Sequence, residues 1–262
     1  MQKPILEIQN LSFQFGSNVV LKNLNFKINK GENWKIGGPS GTGKTTLAKI
    51  ISGEIKNFEG NIKINFDENS ELKQKVVYVA NWYQFTNLEG DRNFYYQQRY
   101  NKFAKNDTLT VFAELNHFAQ KEQLDFKNVE KYLEIFDFQN FKEQQLIELS
   151  SGEHKKLQLV KAFWLKPQIL IIDQPYTGLD IKSRKSLNQI FENLTQEGIT
   201  LLLINNDDEV PSCINRFAEI KNGELIEVSH YSEMSKGEER TPKELPYFLQ
   251  KPPKTNAKEM VK

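Results

Sequence analysis

Eight consecutive residues near the start of the chain have the types and spacing of a phosphate-binding loop. They match the pattern G-x-x-x-x-G-K-[ST], and the threonine that follows extends the set. The predicted phosphate-binding residues are Gly38, Pro39, Ser40, Gly41, Thr42, Gly43, Lys44, Thr45 and Thr46. Glycines let backbone N–H groups approach a phosphate, and Lys44 adds a positive charge near the β- and γ-phosphates. Because the Thr45 hydroxyl is expected to ligate Mg²⁺, the loop predicts binding of ATP or GTP with magnesium.

Three further motifs follow the phosphate loop. Residues 149–153 read Leu-Ser-Ser-Gly-Glu, residues 169–175 read Ile-Leu-Ile-Ile-Asp-Gln-Pro, and residues 178–180 read Gly-Leu-Asp. This order and spacing resembles the signature sequence, the Walker B strand and the D-loop of the ATP-binding cassette (ABC) superfamily, and the likeness runs from about Leu6 to Val228. The altered signature and the glutamine-rich aromatic segment 82–100 look most like soluble cassettes of the molybdate-transport and photorepair type.

The resemblance implies that the chain pairs head to tail with a second cassette, as a homodimer or a heterodimer. Two cassettes of this superfamily hold ATP between the phosphate loop of one and the signature of the other. Ser150, the backbone of Gly152 and the helix that follows would donate to the γ-phosphate of the partner's nucleotide. Asp180 of the D-loop would also lie at the nucleotide. Ser151 and Glu153 depart from the glycine and the glutamine that the signature usually has at these positions.

The same resemblance assigns the remaining ligands of ATP and Mg²⁺. Asp173 would hold the metal through water, and Gln84 would be the Q-loop glutamine, a metal and nucleotide ligand. Gln97 and Gln98 lie in the same segment and are alternatives to Gln84. Phe15 would stack on adenine, although a phenylalanine at this position also suits the core.

Two positions depart from the residues that hydrolyse ATP in this superfamily. Gln174 replaces the glutamate that polarises the attacking water, and an amide cannot take a proton, so we expect a loss of about 10²- to 10⁴-fold in rate. Asn206 replaces the switch histidine and carries no positive charge. Lys44, Gln174 and Asn206 are nevertheless the predicted catalytic residues. Three explanations of these departures stay open. The chain is a slow ATPase that holds a long-lived closed dimer, its partner supplies a competent site, or Asp207 or Asp208 replaces the missing base. Two acidic residues after a strand more often begin a helix.

Composition restricts the compartment and the partners. With 35 basic and 34 acidic residues the formal net charge is +1, which makes nucleic acid an unlikely partner. A single cysteine, Cys213, favours a reducing compartment. No signal peptide and no uncharged apolar run long enough to cross a membrane is evident. We therefore expect a cytoplasmic protein that is peripheral at the inner face of the membrane if another chain, a membrane-spanning permease subunit, is its partner.

The elements that position these motifs follow from hydrophobic periodicity. Three apolar runs, residues 5–8, 19–28 and 34–36, predict an antiparallel opening sheet, and a helix is expected after the phosphate loop. Further strands are predicted at residues 62–66, 76–80, 169–172 and 200–204, a helix at 182–194, and a hairpin about Asn222-Gly223 that joins strands 217–220 and 224–228. The fold class is α/β: a P-loop cassette with a mixed sheet core, an antiparallel β subdomain and an α-helical subdomain at about residues 85–165. Residues 1–228 form the ATP-binding domain, and residues 229–262 are expected to be a disordered tail.

Fold alone does not separate the functions of such cassettes. We expect the chain to bind MgATP and to power or gate transport; a soluble ABC ATPase outside transport and a non-hydrolysing ATP-dependent clamp or regulator are the alternatives. The aromatic segment 82–100 packs the helical insert onto the sheet or forms a docking surface for protein, with RNA stacking a weaker alternative. The spacing of His117, His154 and His230 does not suggest a metal site.

Overall fold

The computed structural model describes residues 3–81, 84–86, 92–94, 108–206, 208–230 and 232. The strands are β1 (Leu6–Phe15), β2 (Asn18–Ile28), β3 (Trp34–Gly37), β4 (Glu59–Ile64), β5 (Lys73–Val79), β6 (Gln84–Thr86), β7 (Arg92–Phe94), β8 (Pro167–Asp173), β9 (Thr200–Ile204), β10 (Arg216–Lys221) and β11 (Glu224–Val228). The helices are α1 (Lys44–Ile51), α2 (Val111–Glu122), α3 (Val129–Ile135), α4 (Ser151–Trp164) and α5 (Ile181–Gln196), with single 3₁₀ turns at Phe126–Asn128, Gln139–Phe141 and Leu146–Glu148.

A six-stranded mixed sheet forms the centre of the fold, in the order β11-β10-β3-β9-β8-β5. Five of these strands are parallel, and β11 is antiparallel to β10 through the predicted hairpin. The prediction that residues 34–36 belong to an antiparallel opening sheet is wrong, because β3 is parallel to both β9 and β10. All four residues of β3 are buried, as expected for a strand covered on both faces, whereas β1 and β2 have one exposed face.

The antiparallel subdomain has the strand order β2-β1-β4. Its inward residues and helix α1 pack on one face of the central sheet, and the helical subdomain with α5 packs on the other. Successive residues of β8 alternate between the two cores: Ile169 and Ile171 lie in the first, and Leu170 and Ile172 lie in the second. Burial on both faces explains the continuous apolar sequence of β8 and β9, and it confirms the prediction of a parallel, doubly covered sheet.

The helical subdomain contains α2, α3 and α4, which run between residues 111 and 164. Trp164 at the end of α4 is the centre of its aromatic packing: the rings of Phe118, Phe126 and Tyr132 lie 6.1, 6.0 and 6.3 Å from it. The predicted subdomain also covers β6 and β7, a short antiparallel hairpin that precedes these helices. The rest of the aromatic segment and the predicted tail, apart from residues 229–230 and 232, lie outside the described residues. None of the described helices is both long and apolar enough to cross a membrane.

Candidate nucleotide-binding site

A cleft of about 860 Å³ opens at the carboxyl edge of the central sheet. Its walls come from the segments that follow β3, β5, β8 and β9, which end together because these strands are parallel. Ten of the residues predicted from sequence line this cleft: Phe15, Ser40, Gly41, Gly43, Lys44, Thr45, Thr46, Asp173, Gln174 and Asn206. The fold therefore brings together in space residues that lie as far apart in sequence as Phe15 and Asn206.

The phosphate loop connects β3 to α1, as the motif requires. Its backbone enters conformations that only glycine adopts readily, with φ +120° at Gly38 and +102° at Gly43. The backbone also runs close to its neighbours: a Cβ on Gly38 would lie 2.3 Å from the carbonyl oxygen of Ile220, and one on Gly43 would lie 2.7 Å from Cδ2 of Leu21. Gly43 caps α1, so the backbone N–H groups that begin this helix point toward the cleft.

Lys44 is buried and folded back onto its own loop. Its ammonium group donates to the carbonyl oxygens of Gly38 at 2.6 Å and Pro39 at 2.7 Å. Burial lowers the pKa of Lys44, and the carboxylates of Asp173 and Glu219 oppose this shift. These two carbonyl bonds hold the ammonium group at the phosphate loop.

Thr45 and Asp173 place hard oxygen ligands side by side in the cleft. The Thr45 hydroxyl donates to Oδ2 of Asp173 at 2.6 Å, and the Tyr78 hydroxyl donates to the same atom at 3.3 Å. Burial, followed by the Asp173 carboxylate, raises the pKa of Tyr78. A hydroxyl and a carboxylate fit Mg²⁺, which prefers oxygen and takes its other ligands from phosphate and water. Within the described part of the chain, no cluster of three or more His, Cys, Asp or Glu side chains offers a separate metal site.

Gln174 and Asn206 face the cleft from adjacent strands. The backbone of Gln174 has φ +50°, and its N–H donates to the carbonyl oxygen of Ile204 at 2.7 Å, which fixes the position of the residue. Asn206 is exposed and follows β9 by two residues. Asp208 is also exposed, and no helix begins among the described residues 205–206 and 208–215, so the alternative that Asp208 opens a helix is wrong. Asp207 lies outside the described residues.

Phe15 ends β1 beside the phosphate loop. Its side chain is 79% exposed and lines the cleft, so the alternative that it belongs to the core is wrong. Stacking on adenine stays a prediction. Gln84 lies in β6, where its backbone pairs with Phe94, and its role as a ligand stays a prediction. Gln97 and Gln98 lie outside the described residues.

The signature motif begins α4, and Ser150 and Gly152 are not among the residues that line the cleft. Ser150 is the N-cap residue: its hydroxyl accepts from the N–H of Glu153 at 3.3 Å, and its own N–H donates to Oε2 of Glu153 at 2.6 Å. This reciprocal capping box gives Glu153 a structural role at the position where the superfamily usually has glutamine. Gly152 packs against the D-loop, because a Cβ here would lie 3.0 Å from the carbonyl oxygen of Gly178.

Asp180 of the D-loop caps α5. Its two carboxylate oxygens accept from the N–H and the hydroxyl of Ser183, both at 2.9 Å. These hydrogen bonds lower the pKa of Asp180, which is exposed. The structure therefore uses its side chain as a helix cap, and contact with a nucleotide stays a prediction.

Three polar residues near the site have no counterpart in the sequence analysis. Tyr78 contacts Asp173, as described above. Lys155 of α4 is buried and donates to the carbonyl oxygens of Ala80 and Asp173, both at 3.0 Å, and burial lowers its pKa to about 8. Glu219 is buried in β10 beneath Gly38. The sequence signal for these three residues was a polar side chain at an inward position of a strand or helix. That signal does not reveal which buried atom the side chain contacts.

Comparison with known proteins identifies relatives of this chain. Residues 21–177 match the model of the family described as ABC transporter. A spermidine/putrescine import ATP-binding protein of Mycoplasma mycoides is 27% identical over 87% of this chain and 62% of the relative. An Fe(3+) ions import ATP-binding protein of Fusobacterium nucleatum is 27% identical over 84% of this chain and 56% of the relative. The chain thus spans little more than half the length of these two relatives.

Solved structures share the fold. The cbiO1 protein of Clostridium perfringens, part of the ABC transporter complex cbiONQ, matches with a TM-score of 0.65 at 21% identity, over 87% of this chain and 89% of that one. A nucleotide-free ATP-binding cassette from an ABC transporter matches with a TM-score of 0.65 at 22% identity, over 88% and 93% of the two chains.

Proposed function

This chain belongs to the ABC transporter family, and we propose that it is an ATP-binding subunit that binds MgATP in the cleft and powers or gates transport through a membrane-spanning permease. The observation that carries the proposal is the single cleft that brings together Phe15, the phosphate loop, Asp173 and Gln174. Relatives named for polyamine and iron import support a transport role. Their cargoes differ, so no cargo is assigned to this chain.

The lining residues indicate how ATP would lie in the cleft. The exposed ring of Phe15 offers a stacking surface for adenine, and the phosphates would follow the loop to the start of α1. Lys44, which lies at the carbonyl oxygens of Gly38 and Pro39, would place its charge against a phosphate oxygen. Thr45 and Asp173 would hold Mg²⁺, whose charge neutralises the phosphates.

A second cassette would complete the site. Ser150 and Gly152 lie at the start of α4, a helix of 14 residues, and not in the cleft of their own chain. The hydroxyl of Ser150 accepts a bond from Glu153, which leaves its hydrogen able to donate outward. The α4 N-terminus would thus meet the γ-phosphate bound by a partner, either another copy of this chain or a different cassette.

Hydrolysis is proposed to be slow or dependent on the partner. Gln174 is held at the cleft by its backbone bond to Ile204, so its side chain is placed to orient a water molecule. Because this side chain is an amide, it cannot accept the proton of that water. Asn206 can donate to a phosphate without carrying charge. The same two residues favour the second candidate function, an ATP-dependent clamp or regulator that does not hydrolyse its ligand.

Head-to-tail pairing has a direct test by complementation. Lys44→Ala disables the phosphate loop and Ser150→Arg blocks the signature, so neither variant alone should dimerise on addition of MgATP. A mixture retains one intact composite site and should dimerise, as measured by light scattering, with one nucleotide per dimer. Lys56→Ala, an exposed lysine outside the cleft, is the control and should behave as the wild type. A mixture that stays monomeric while the wild type dimerises contradicts the head-to-tail arrangement.

Turnover separates the motor from the clamp. We expect Gln174→Glu to raise ATP turnover by about 10²-fold or more, since it restores a group that can take a proton. No gain in this variant contradicts the slow-ATPase proposal. Co-purification of a membrane-spanning permease with the tagged chain would support transport at the inner face of the membrane, whereas its consistent absence would support a soluble role.

A further inference from the structure

A polar bridge behind the cleft joins two loops that the motifs do not connect. The hydroxyl of Tyr176 donates to Oδ1 of Asn188 at 2.6 Å, and Nδ2 of Asn188 donates to Oε1 of Glu209 at 2.7 Å. Tyr176 follows the Walker B motif and is fully buried, Asn188 is in the middle of α5, and Glu209 belongs to the loop after β9. Because both ends of one amide are used, the orientation of Asn188 is fixed by the two loops together.

Arg184 connects the same two loops a second time. It lies one turn before Asn188 on α5, and its Nε donates to the carbonyl oxygen of Leu179 at 3.1 Å. Its guanidinium lies 3.8 Å from Oε2 of Glu209 and 5.6 Å from the ring centre of Tyr176. The contacts of Arg184 and Asn188 thus converge on Glu209 at one end and on residues 176–179 at the other.

Each end of this bridge leads to a different functional surface. Glu209 comes three residues after Asn206, which lines the cleft. At the other end, the carbonyl oxygen of Gly178 lies 3.0 Å from the position of a Cβ on Gly152 in the signature. The bridge therefore spans from the wall of the nucleotide cleft to the surface that would meet a second cassette.

We infer that Asn188 is a positioning residue that makes the placement of residues 176–180 depend on the loop after β9, so that nucleotide in the cleft reorders the surface at the signature. The inference rests on the proposed function. Its physical basis is that a bond of 2.7 Å is lost when Glu209 moves away by about 0.9 Å or more, which leaves a partly buried amide unsatisfied. The two loops then move together more readily than apart.

Hydrogen exchange on the full chain, with and without MgATP, tests this coupling within one molecule. In the wild type, MgATP should slow exchange at residues 38–46, at the loop after β9 and at residues 176–184. In Asn188→Leu, protection at residues 38–46 should remain, while the slowing at residues 176–184 should fall by about fivefold or more. Gln189→Leu, an exposed neighbour whose amide donates to Glu192, is the matched control and should respond as the wild type.

Two further variants divide the bridge. Tyr176→Phe removes the bond to Asn188, and Asn188→Asp keeps an acceptor for Tyr176 but places a second carboxylate against Glu209. Both should weaken the response at residues 176–184, and they carry the test if Asn188→Leu does not fold. An unchanged response in these variants overturns the inference, as does a wild type in which residues 38–46 respond and residues 176–184 do not. A wild type without protection at residues 38–46 instead refutes the proposed function.

Discussion

Gly38→Ala should be among the most disruptive single-methyl changes in the phosphate loop. The new Cβ would lie 2.3 Å from the carbonyl oxygen of Ile220 and 3.2 Å from its carbonyl carbon. Relief of this contact requires a shift of about 1 Å. Overpacking of this kind costs about 1–3 kcal/mol of unfolding free energy. Ile220 cannot move alone, since β10 pairs with both β3 and β11. Backbone strain at φ +120° adds about 1–3 kcal/mol.

The expected total is therefore about 2–6 kcal/mol of unfolding free energy. Gly41→Ala is the matched control, because its φ is +86° and no atom lies within 4 Å of the added methyl. Both changes remove the same unfolded-state entropy, so this contribution cancels between them. Urea unfolding of the two variants, followed by circular dichroism, gives the difference directly. MgATP affinity should also fall in Gly38→Ala, since a shift of residue 38 displaces its carbonyl oxygen, which accepts from Lys44.

Equal unfolding free energies of Gly38→Ala and Gly41→Ala would refute the reasoning, because strain would then account for the whole effect and the contact with Ile220 for none. Gly31→Ala extends the comparison to a loop away from the cleft. It has φ +85° and open space around the added methyl, and it should resemble Gly41→Ala in stability while leaving MgATP affinity unchanged.

Three other predictions follow from buried or capping groups. His154 is buried, and burial lowers its pKa from 6.5 to about 4. Between these two pH values the folded chain therefore binds fewer protons than the unfolded chain. Lowering the pH from 6.5 to 4 should thus reduce the unfolding free energy by up to about 3 kcal/mol. Urea unfolding of His154→Gln should show a flatter pH dependence than the wild type, with exposed His117→Gln as the control; parallel pH profiles would contradict the assignment. Ser150→Ala should lower the melting temperature, because the loss of the helix cap costs about 1 kcal/mol of unfolding free energy. Glu153→Gln keeps an acceptor for the N–H of Ser150 and should change the unfolding free energy by less than about 0.5 kcal/mol. A larger loss in Glu153→Gln would show that the capping box needs the charge. Lys155→Met should lower the unfolding free energy, measured in urea, by about 1–3 kcal/mol, because the carbonyls of Ala80 and Asp173 lose their donor. Lys156→Met, at the partly exposed neighbouring position, should lower it by less. Equal losses would argue against the two buried bonds.

Local patterns predicted much of the fold. The apolar runs at residues 169–172 and 200–204 indicated strands covered on both faces, and Asn222-Gly223 indicated the β10–β11 hairpin, because each signal is contained in a few adjacent residues. The short run at residues 34–36 gave no such information. Its partners lie more than 160 residues away in β9 and β10, and no local rule identifies a strand's distant neighbours.

The phosphate-binding part of the site was equally accessible, since spacing alone places Lys44 and Thr45 at the start of a helix. The role of Thr45 at Mg²⁺ was predicted from the phosphate-loop motif and that of Asp173 from the resemblance. The structure adds the direct hydrogen bond between them. Lys155 and Glu219 were not found because a charged side chain at an inward position has the same sequence pattern as one that reaches solvent. Asp180 has a role that its motif did not indicate, because its carboxylate caps a helix, and the nucleotide contact stays a prediction.

Helix α4 is fixed to the sheet near one end, and this determines how it can move. Lys155 holds the helix to the ends of β5 and β8, about 7 Å of helix from Ser150 and about 13 Å from Trp164 at 1.5 Å per residue. If both bonds persist during a rotation, Lys155 is the pivot and the two ends move in opposite directions. A shift of about 1 Å at Ser150 then displaces Trp164 by nearly 2 Å, together with the aromatic rings packed around it. Small motions at the signature would thus be enlarged at the far end of the helical subdomain.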